Sequence, residues 1–119
     1  MDVKLLHRKK IRRARRVRAK IFGTSNRPRL AVFRSNKGFA VQLIDDAKGK
    51  TLFAASTKEL SKEEQKKTKT EQAVFLGVLI VKKAKGGGIT KAVLDRRSYR
   101  YHGRVRAFAE SVRKGGFTI

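Results

Sequence analysis

Positive charge is the feature that most limits how this chain can fold. The 119 residues include 32 lysines and arginines but only 9 acidic residues, which gives a formal net charge of +23. A compact protein with such a charge repels itself, so the charge indicates a polyanionic partner. Nucleic acid is the leading polyanion, and an anionic membrane surface is the second.

The positive charge is unevenly distributed. Residues 1–34 carry a net charge of +12, residues 35–90 of +5 and residues 91–119 of +6. All 15 arginines lie either at or before Arg34 or at or after Arg96. Arginine grips phosphates with paired N–H donors and stacks on bases, whereas lysine is a hydrated point charge. The two arginine-rich ends are therefore the candidate binding surfaces, and the lysine-bearing middle is expected to be an ordinary solvated surface.

Several protein classes are disfavoured by what the sequence lacks. It has no cysteine, which excludes disulfide frameworks and thiolate metal sites. The longest apolar run, residues 73–81, is far shorter than the roughly 20 residues of a membrane-spanning helix. No apolar segment follows the basic N-terminus, so we expect no secretory signal. The length suits one domain. Without these features, we expect the protein to be intracellular.

The N-terminal segment is predicted to be a basic helix. Basic residues fill seven of the nine positions from Arg8 to Arg16. Spacings of three and four residues separate Ile11, Ala14, Val17 and Ile21, which predicts a helix over residues 4–20 with a narrow apolar seam. Like charges should keep it loose until phosphates neutralise them. We therefore divide the chain into a basic arm, residues 1–22, and a single α/β domain, residues 23–119. A solvated tail or an address signal are the alternatives for the arm.

The body begins with a predicted antiparallel meander. Strands are expected over residues 29–34, 39–44 and 51–57, joined by polar turns at residues 35–38 and 45–50. A helix over residues 73–85 should follow and pack closely against the sheet at Gly77. Ser61-x-x-Glu64 and Thr68-x-x-Glu71 are two possible helix starts before it.

The rest of the body supplies a short strand and a second helix. Residues 92–94 read as a buried strand and residues 95–102 as a loop. The spacing of Val105, Phe108, Ala109 and Val112 predicts an amphipathic helix. The order βββαβα predicts an α/β fold, with a mixed sheet of about four strands and helices packed on it.

Residues 96–104 interleave arginines with aromatic residues. Such a mixture suits RNA loops, because rings stack on unpaired bases while arginines hold phosphates. In an extended segment Tyr99 and Tyr101 share one side. Each tyrosine could equally pack into the core. Gly103, beside a helix start, could present backbone N–H groups to a phosphate.

No pattern in the sequence supports catalysis. Asp95 lies between a buried strand and two arginines, where an ion pair or a turn cap is favoured over a catalytic role. Asp45 and Asp46 are adjacent on a strand and point to opposite faces, which disfavours a metal pair. The glycines at 86–88 lack the lysine of a phosphate-binding loop and mark a helix end. Neither histidine has a nucleophile or ligand set nearby. We expect no enzyme, no metal and no cofactor.

Six blocks of sequence together resemble a known family. They are Arg27–Leu30, Val32–Lys37, Gln42–Asp46, Gly49–Leu52, Asp95-Arg96 and Tyr101–Val105. These blocks, in this order, resemble the bacterial large-subunit ribosomal protein L-eighteen over essentially the whole chain. The resemblance implies a ribonuclease-H-like α/β layout without nuclease activity. It also implies a cytoplasmic ribosomal protein that binds 5S rRNA, contacts 23S rRNA and neighbouring proteins in the central protuberance, and forms no homo-oligomer.

The expected RNA contacts combine the basic arm, the meander and the loop. They are Arg8, Lys9, Lys10, Arg12, Arg13, Arg15, Arg16, Arg18, Lys20, Arg27, Arg29, Arg34, Ser35, Asn36, Lys37, Arg96, Arg97, Tyr99, Arg100, Tyr101, His102, Gly103 and Arg104. The sequence departs from the family pattern at Ala40, where tyrosine is usual, and at Arg97-Ser98, where glycine is common. An architectural DNA-binding protein is the alternative function. An RNA-processing enzyme of similar fold would need clustered carboxylates.

Overall fold

The computed structural model describes residues 3–19, 21–34, 38–97 and 99–119. It contains four α-helices, one short 3-10 helix at Thr57–Glu59 and four strands within those residues. The helices are α1 (Val3–Ala19), α2 (Lys62–Gln65), α3 (Lys69–Gly86) and α4 (Arg104–Lys114), and the strands are β1 (Arg29–Arg34), β2 (Phe39–Asp45), β3 (Lys50–Ser56) and β4 (Val93–Asp95). None of the described helices has the length and apolar character needed to cross a membrane.

The four strands form one mixed sheet in the order β3-β2-β1-β4. β1, β2 and β3 pair antiparallel, which confirms the predicted meander, and β4 joins β1 in parallel. The predicted α/β class is therefore correct. β3 ends at Ser56 rather than at Thr57, because Ser56 caps the 3-10 helix and accepts a hydrogen bond from the Lys58 N–H. The turn predicted for Ser35, Asn36 and Lys37 lies outside the described residues.

Alternation along the strands builds the core. Leu30 and Val32 of β1, with Val41 and Leu43 of β2, are fully buried on the side of the sheet that meets the helices. Burial of a side chain of this size contributes about 1.5–3 kcal/mol. The Phe39 ring lies 5.5 Å from that of Phe108, which connects the sheet to α4.

Both predicted helix starts are used. Ser61 caps α2 and accepts a hydrogen bond from the Glu64 N–H, and Thr68 caps α3 in the same way through the Glu71 N–H. The long helix consequently begins at Lys69, four residues before the predicted Ala73. Each cap satisfies a backbone donor that a helix start leaves without an intrahelical partner.

Gly77 makes its close approach to α4, so its predicted contact with the sheet is wrong. A Cβ atom at Gly77 would lie 2.6 Å from the Ser111 hydroxyl oxygen. That hydroxyl donates a 2.7 Å hydrogen bond to the Val74 carbonyl oxygen, which joins the two helices. Val78 is 58% exposed, so α3 is not buried all round. A helix that packs against one sheet and one helix keeps a solvent side.

The predicted amphipathic helix near the C-terminus is confirmed as α4. Val105, Phe108, Ala109 and Val112 are all fully buried, as their spacing predicts. The short strand lies at Val93–Asp95, one residue later than expected. Its parallel pairing to β1 brings the loop that follows it to the end of β1, where the candidate site lies.

Candidate nucleic-acid interface

Helix α1 presents a dense array of cations. The described basic side chains of the arm are all exposed: Lys4, Arg8, Lys9, Lys10, Arg12, Arg13, Arg15 and Arg16. Ala14 is half-buried, and with Arg15 it lines a cavity of about 300 Å³ beside Arg29 and Phe33. The arm therefore meets the body at β1. The Arg18 side chain and Lys20 lie outside the described residues.

Arg29 is held by two carboxylates inside the protein. Its Nε and Nη2 donate to the two oxygens of Asp46 at 3.0 and 3.2 Å, and its Nη1 donates to Asp95 at 2.7 Å. Its side chain is only 12% exposed. Burial alone would lower the pKa of Arg29, but the hydrogen bonds to Asp46 and Asp95 outweigh it and raise the pKa. Arg29, predicted from its sequence context to contact RNA, instead directs its guanidinium to two carboxylates of the protein itself.

The same aspartates fix the segments on either side. Asp46 also accepts from the Gly23 N–H at 2.8 Å, which ties the root of the arm to the sheet. Asp95 accepts from the Arg97 N–H at 2.9 Å and so caps the turn after β4. Both functions weighed for Asp95, an ion pair and a turn cap, are therefore present. Asp45 instead accepts from the N–H groups of its own turn. The described residues contain no group of three metal-ligating side chains.

Tyr99 packs on the body at the end of β1. Its hydroxyl accepts from the Arg34 N–H and donates to the Arg34 carbonyl, both at 3.0 Å. The Arg34 guanidinium lies 5.2 Å from the centre of the Tyr99 ring. Arg96 adds a hydrogen bond to the Tyr99 carbonyl at 2.6 Å. Tyr99 therefore positions Arg34 and the loop, as in the packing alternative.

Tyr101 lies at the surface and does not pack into the core. It is 41% exposed, and its hydroxyl accepts from Arg113 at 2.7 Å. The loop is not extended here, since the His102 N–H donates to the Arg100 carbonyl at 2.8 Å. The two tyrosines thus have different environments instead of sharing one side. The contact of Arg113 with this loop was not predicted from the sequence. Arg113 lies near the end of the last helix, and its position there gives no sign that it reaches the loop.

Two backbone conformations define the path of residues 96–104. Arg97 has φ of 57°, a left-handed conformation that favours glycine, and its guanidinium lies 4.6 Å from the centre of the Phe33 ring. Gly103 has φ of 56° and ψ of −120° at the start of α4, with no side-chain cap. Arg100, His102 and Gly103 are exposed.

Arg34 and Arg104 form a concentration of positive charge beside Tyr99. Burial and the neighbouring charge of Arg34 lower the pKa of Arg104 below its ordinary value, although Tyr99 opposes this shift. Like charges held together cost free energy, and an anion that neutralises them recovers it. The structure thus brings Arg34, Arg96, Arg97, Tyr99 and Arg104 together. Arg27 is exposed in the segment before β1, while Ser35, Asn36 and Lys37 lie outside the described residues.

Comparison with known proteins gives a consistent result. The family described as "Ribosomal L18 of archaea, bacteria, mitoch. and chloroplast" matches residues 5–119. A "Large ribosomal subunit protein uL18" from Streptococcus suis is 56% identical over 105 residues, which cover 88% of this chain and 85% of that protein. A protein of the same name from Streptococcus thermophilus is 53% identical over 105 residues, covering 88% of this chain and 87% of the relative.

Proposed function

This chain belongs to the ribosomal L18 family, and from that premise we propose that it binds 5S rRNA and attaches it to 23S rRNA in the central protuberance. Membership makes it a structural component of the large ribosomal subunit, located in the cytoplasmic ribosome, and not an enzyme. Its proposed partners are the two RNAs and neighbouring proteins of the same subunit.

One observation carries the proposal: two arginine-rich surfaces meet at β1. Ala14 and Arg15 of α1 line the cavity beside Arg29, and the loop of residues 96–104 is tied to the same arginine through Asp95. Arg15 of the arm and Arg97 of the loop line the same cavity, so one RNA can contact both surfaces. The arm supplies phosphate contacts, which position RNA without reading its sequence.

The loop of residues 96–104 can recognise the shape of an RNA, which the arm cannot. Tyr99 holds the backbone of Arg34 and Asp95 holds that of Arg97, so these two arginines can match one arrangement of phosphates. Exposed Arg100, Tyr101 and His102 can reach bases that a folded RNA leaves unpaired. We expect discrimination between RNAs to reside in the loop and bulk affinity in the arm.

The test compares arginines of the arm with lysines of the middle of the chain. Arg8, Arg12 and Arg16 become alanine in one variant, and the exposed Lys62, Lys66 and Lys67 become alanine in the other. Each variant loses three positive charges. We expect only the arm variant to bind labelled 5S rRNA more weakly and to show a shallower salt dependence, by about 0.7–0.9 in the log–log slope per lost contact.

Competition defines the ligand. Binding of labelled 5S rRNA is challenged at physiological salt with unlabelled 5S rRNA, an unrelated folded RNA and duplex DNA. We expect 5S rRNA to compete best. Equal competition by duplex DNA would favour the architectural DNA-binding alternative. Equal losses in the arm and lysine variants would show that net charge alone drives binding.

A further inference from the structure

An open cavity lies where β1 ends, β2 begins and β3 ends. Its volume is about 590 Å³, within the range of small-ligand sites. Phe33 pairs with Ala40 across one strand boundary, and Ala40 pairs with Ser56 across the next. The three side chains therefore lie side by side on one face of the sheet. The methyl group of Ala40 in the middle leaves the space above it open.

The cavity combines aromatic walls with a cationic rim. Phe33 and Tyr99 both line it, and each ring already carries a guanidinium, from Arg97 and Arg34 respectively. Arg34 ends β1 and Lys58 follows β3, the two strands that flank β2, and both line the cavity with exposed side chains. No acidic residue is among the described residues that line it.

We propose that this cavity binds one unpaired base of the bound RNA, with the phosphates of that nucleotide held by Arg34 and Lys58. The base contacts Phe33 and Tyr99 and lies over Ala40. An apolar side chain from another protein would gain nothing from the two cations, whereas a nucleotide uses the apolar cavity and the rim together. The inference rests on the proposed function, since it needs an RNA ligand.

The probe isolates the contribution of one base. A pentanucleotide RNA backbone carries adenine at its central position and abasic riboses elsewhere, and its matched partner is abasic at all five positions. Both strands have the same phosphates, so the arm and the loop contact them equally. We expect the full chain to bind the adenine strand on the order of tenfold more tightly, as one base stacked on aromatic side chains contributes.

Two protein variants locate that base. Ala40→Leu places an aliphatic group that cannot stack in the space over residue 40, whereas Ala54→Leu adds the same group to an exposed site on β3. Neither substitution changes the charge. We expect Ala40→Leu to lose the preference for the adenine strand and to keep its affinity for the abasic strand. Ala54→Leu should keep both.

Each outcome decides the question. Equal binding of the adenine strand and the abasic strand by the parent chain overturns the proposal. This comparison uses no variant, so the proposal can fail even if the Ala40→Leu protein misfolds. A preference that survives in Ala40→Leu places the base elsewhere and also overturns it. If the chain binds neither these strands nor 5S rRNA, the proposed function fails and the base site with it. If 5S rRNA binds but the adenine adds nothing, only the base site fails.

Discussion

Arg29 joins parts of the chain that lie far apart in the sequence. Through Asp46 it connects β1 to the turn after β2 and to Gly23, and through Asp95 it connects β1 to the end of β4. Buried charges are stable only when each polar atom has a partner. Among the described residues, no buried side-chain nitrogen or oxygen lacks a hydrogen-bond partner. The arginine therefore acts as a structural centre for both segments that are proposed to bind RNA.

Replacing Arg29 by methionine should destabilise the fold strongly. The variant replaces the guanidinium by an uncharged thioether and leaves two buried carboxylates without their counter-charge, which costs about 3–5 kcal/mol of unfolding free energy. Arg27→Met is the matched control, because Arg27 is exposed and the substitution removes the same charge. Urea denaturation measures both variants. A loss for Arg29→Met no larger than that of the control would contradict the structural role.

Gly103 and Gly86 offer a second comparison at the scale of one residue. A Cβ atom would meet nothing within 4 Å at either site, but only Gly103 has a positive φ, of 56°. Gly103→Ala should therefore cost about 1–3 kcal/mol through backbone strain. Gly86→Ala, at the end of α3, should stabilise the protein by about 0.5–1 kcal/mol. Thermal melts of the two variants should move in opposite directions, and shifts of the same sign would show that φ is not the cause.

The sequence pattern predicted the roles of Asp95 but not the central position of Arg29. The capping and ion-pair interpretation of Asp95 is confirmed, although its ion pair is with Arg29 of β1, which the neighbouring residues do not indicate. The ion pair of Arg29 with Asp95 could not be predicted, since it depends on the parallel pairing of β1 and β4. The conformation of Arg97 was equally hidden, and the family preference for glycine there was the one available signal.

The helices and strands themselves were easier to predict than the way in which they pack against one another. Local patterns gave the strands within a residue or so and both capped helix starts, because alternation and capping depend on residues close in sequence. They did not show that α4, and not the sheet, packs against Gly77. A glycine indicates a close approach but does not identify the partner.

The contact between α3 and α4 should be intolerant of one added methyl group. Gly77→Ala places a Cβ atom 2.6 Å from the Ser111 hydroxyl oxygen, which forces the helices apart. Such overpacking costs about 1–3 kcal/mol and exceeds the gain of about 1 kcal/mol in helix propensity. Val78→Ala, on the exposed side of the same helix, should change stability by about 0.5 kcal/mol or less. Denaturation midpoints that rank the variants the other way would contradict this packing.

At the scale of the whole molecule, we propose that binding and folding are separable. The core consists of residues after the arm, and Ala14 is the one half-buried side chain among Lys4–Arg16. The chain lacking residues 1–22 should therefore melt cooperatively, close to the temperature of the full chain. Its binding to 5S rRNA should be weaker and depend less on salt, because many phosphate contacts are gone.

Two measurements check this division. Calorimetry compares the melting of the two chains, and filter binding at several salt concentrations compares their slopes. An unfolded truncated chain would make the arm part of the core. An unchanged slope would mean that the arm leaves the phosphates of the RNA untouched.

The parallel pairing of β1 with β4 also has a consequence in time. Arg29 and Val93 are partners although more than sixty positions separate them. Pairings so distant form slowly, and until β4 is synthesised β1 keeps an unpaired edge. The arm precedes all of these residues and carries its full charge from the moment it is made. If the arm binds RNA as proposed, we expect RNA to bind a nascent chain before its sheet is complete, so that β4 pairs with β1 in a chain that is already bound.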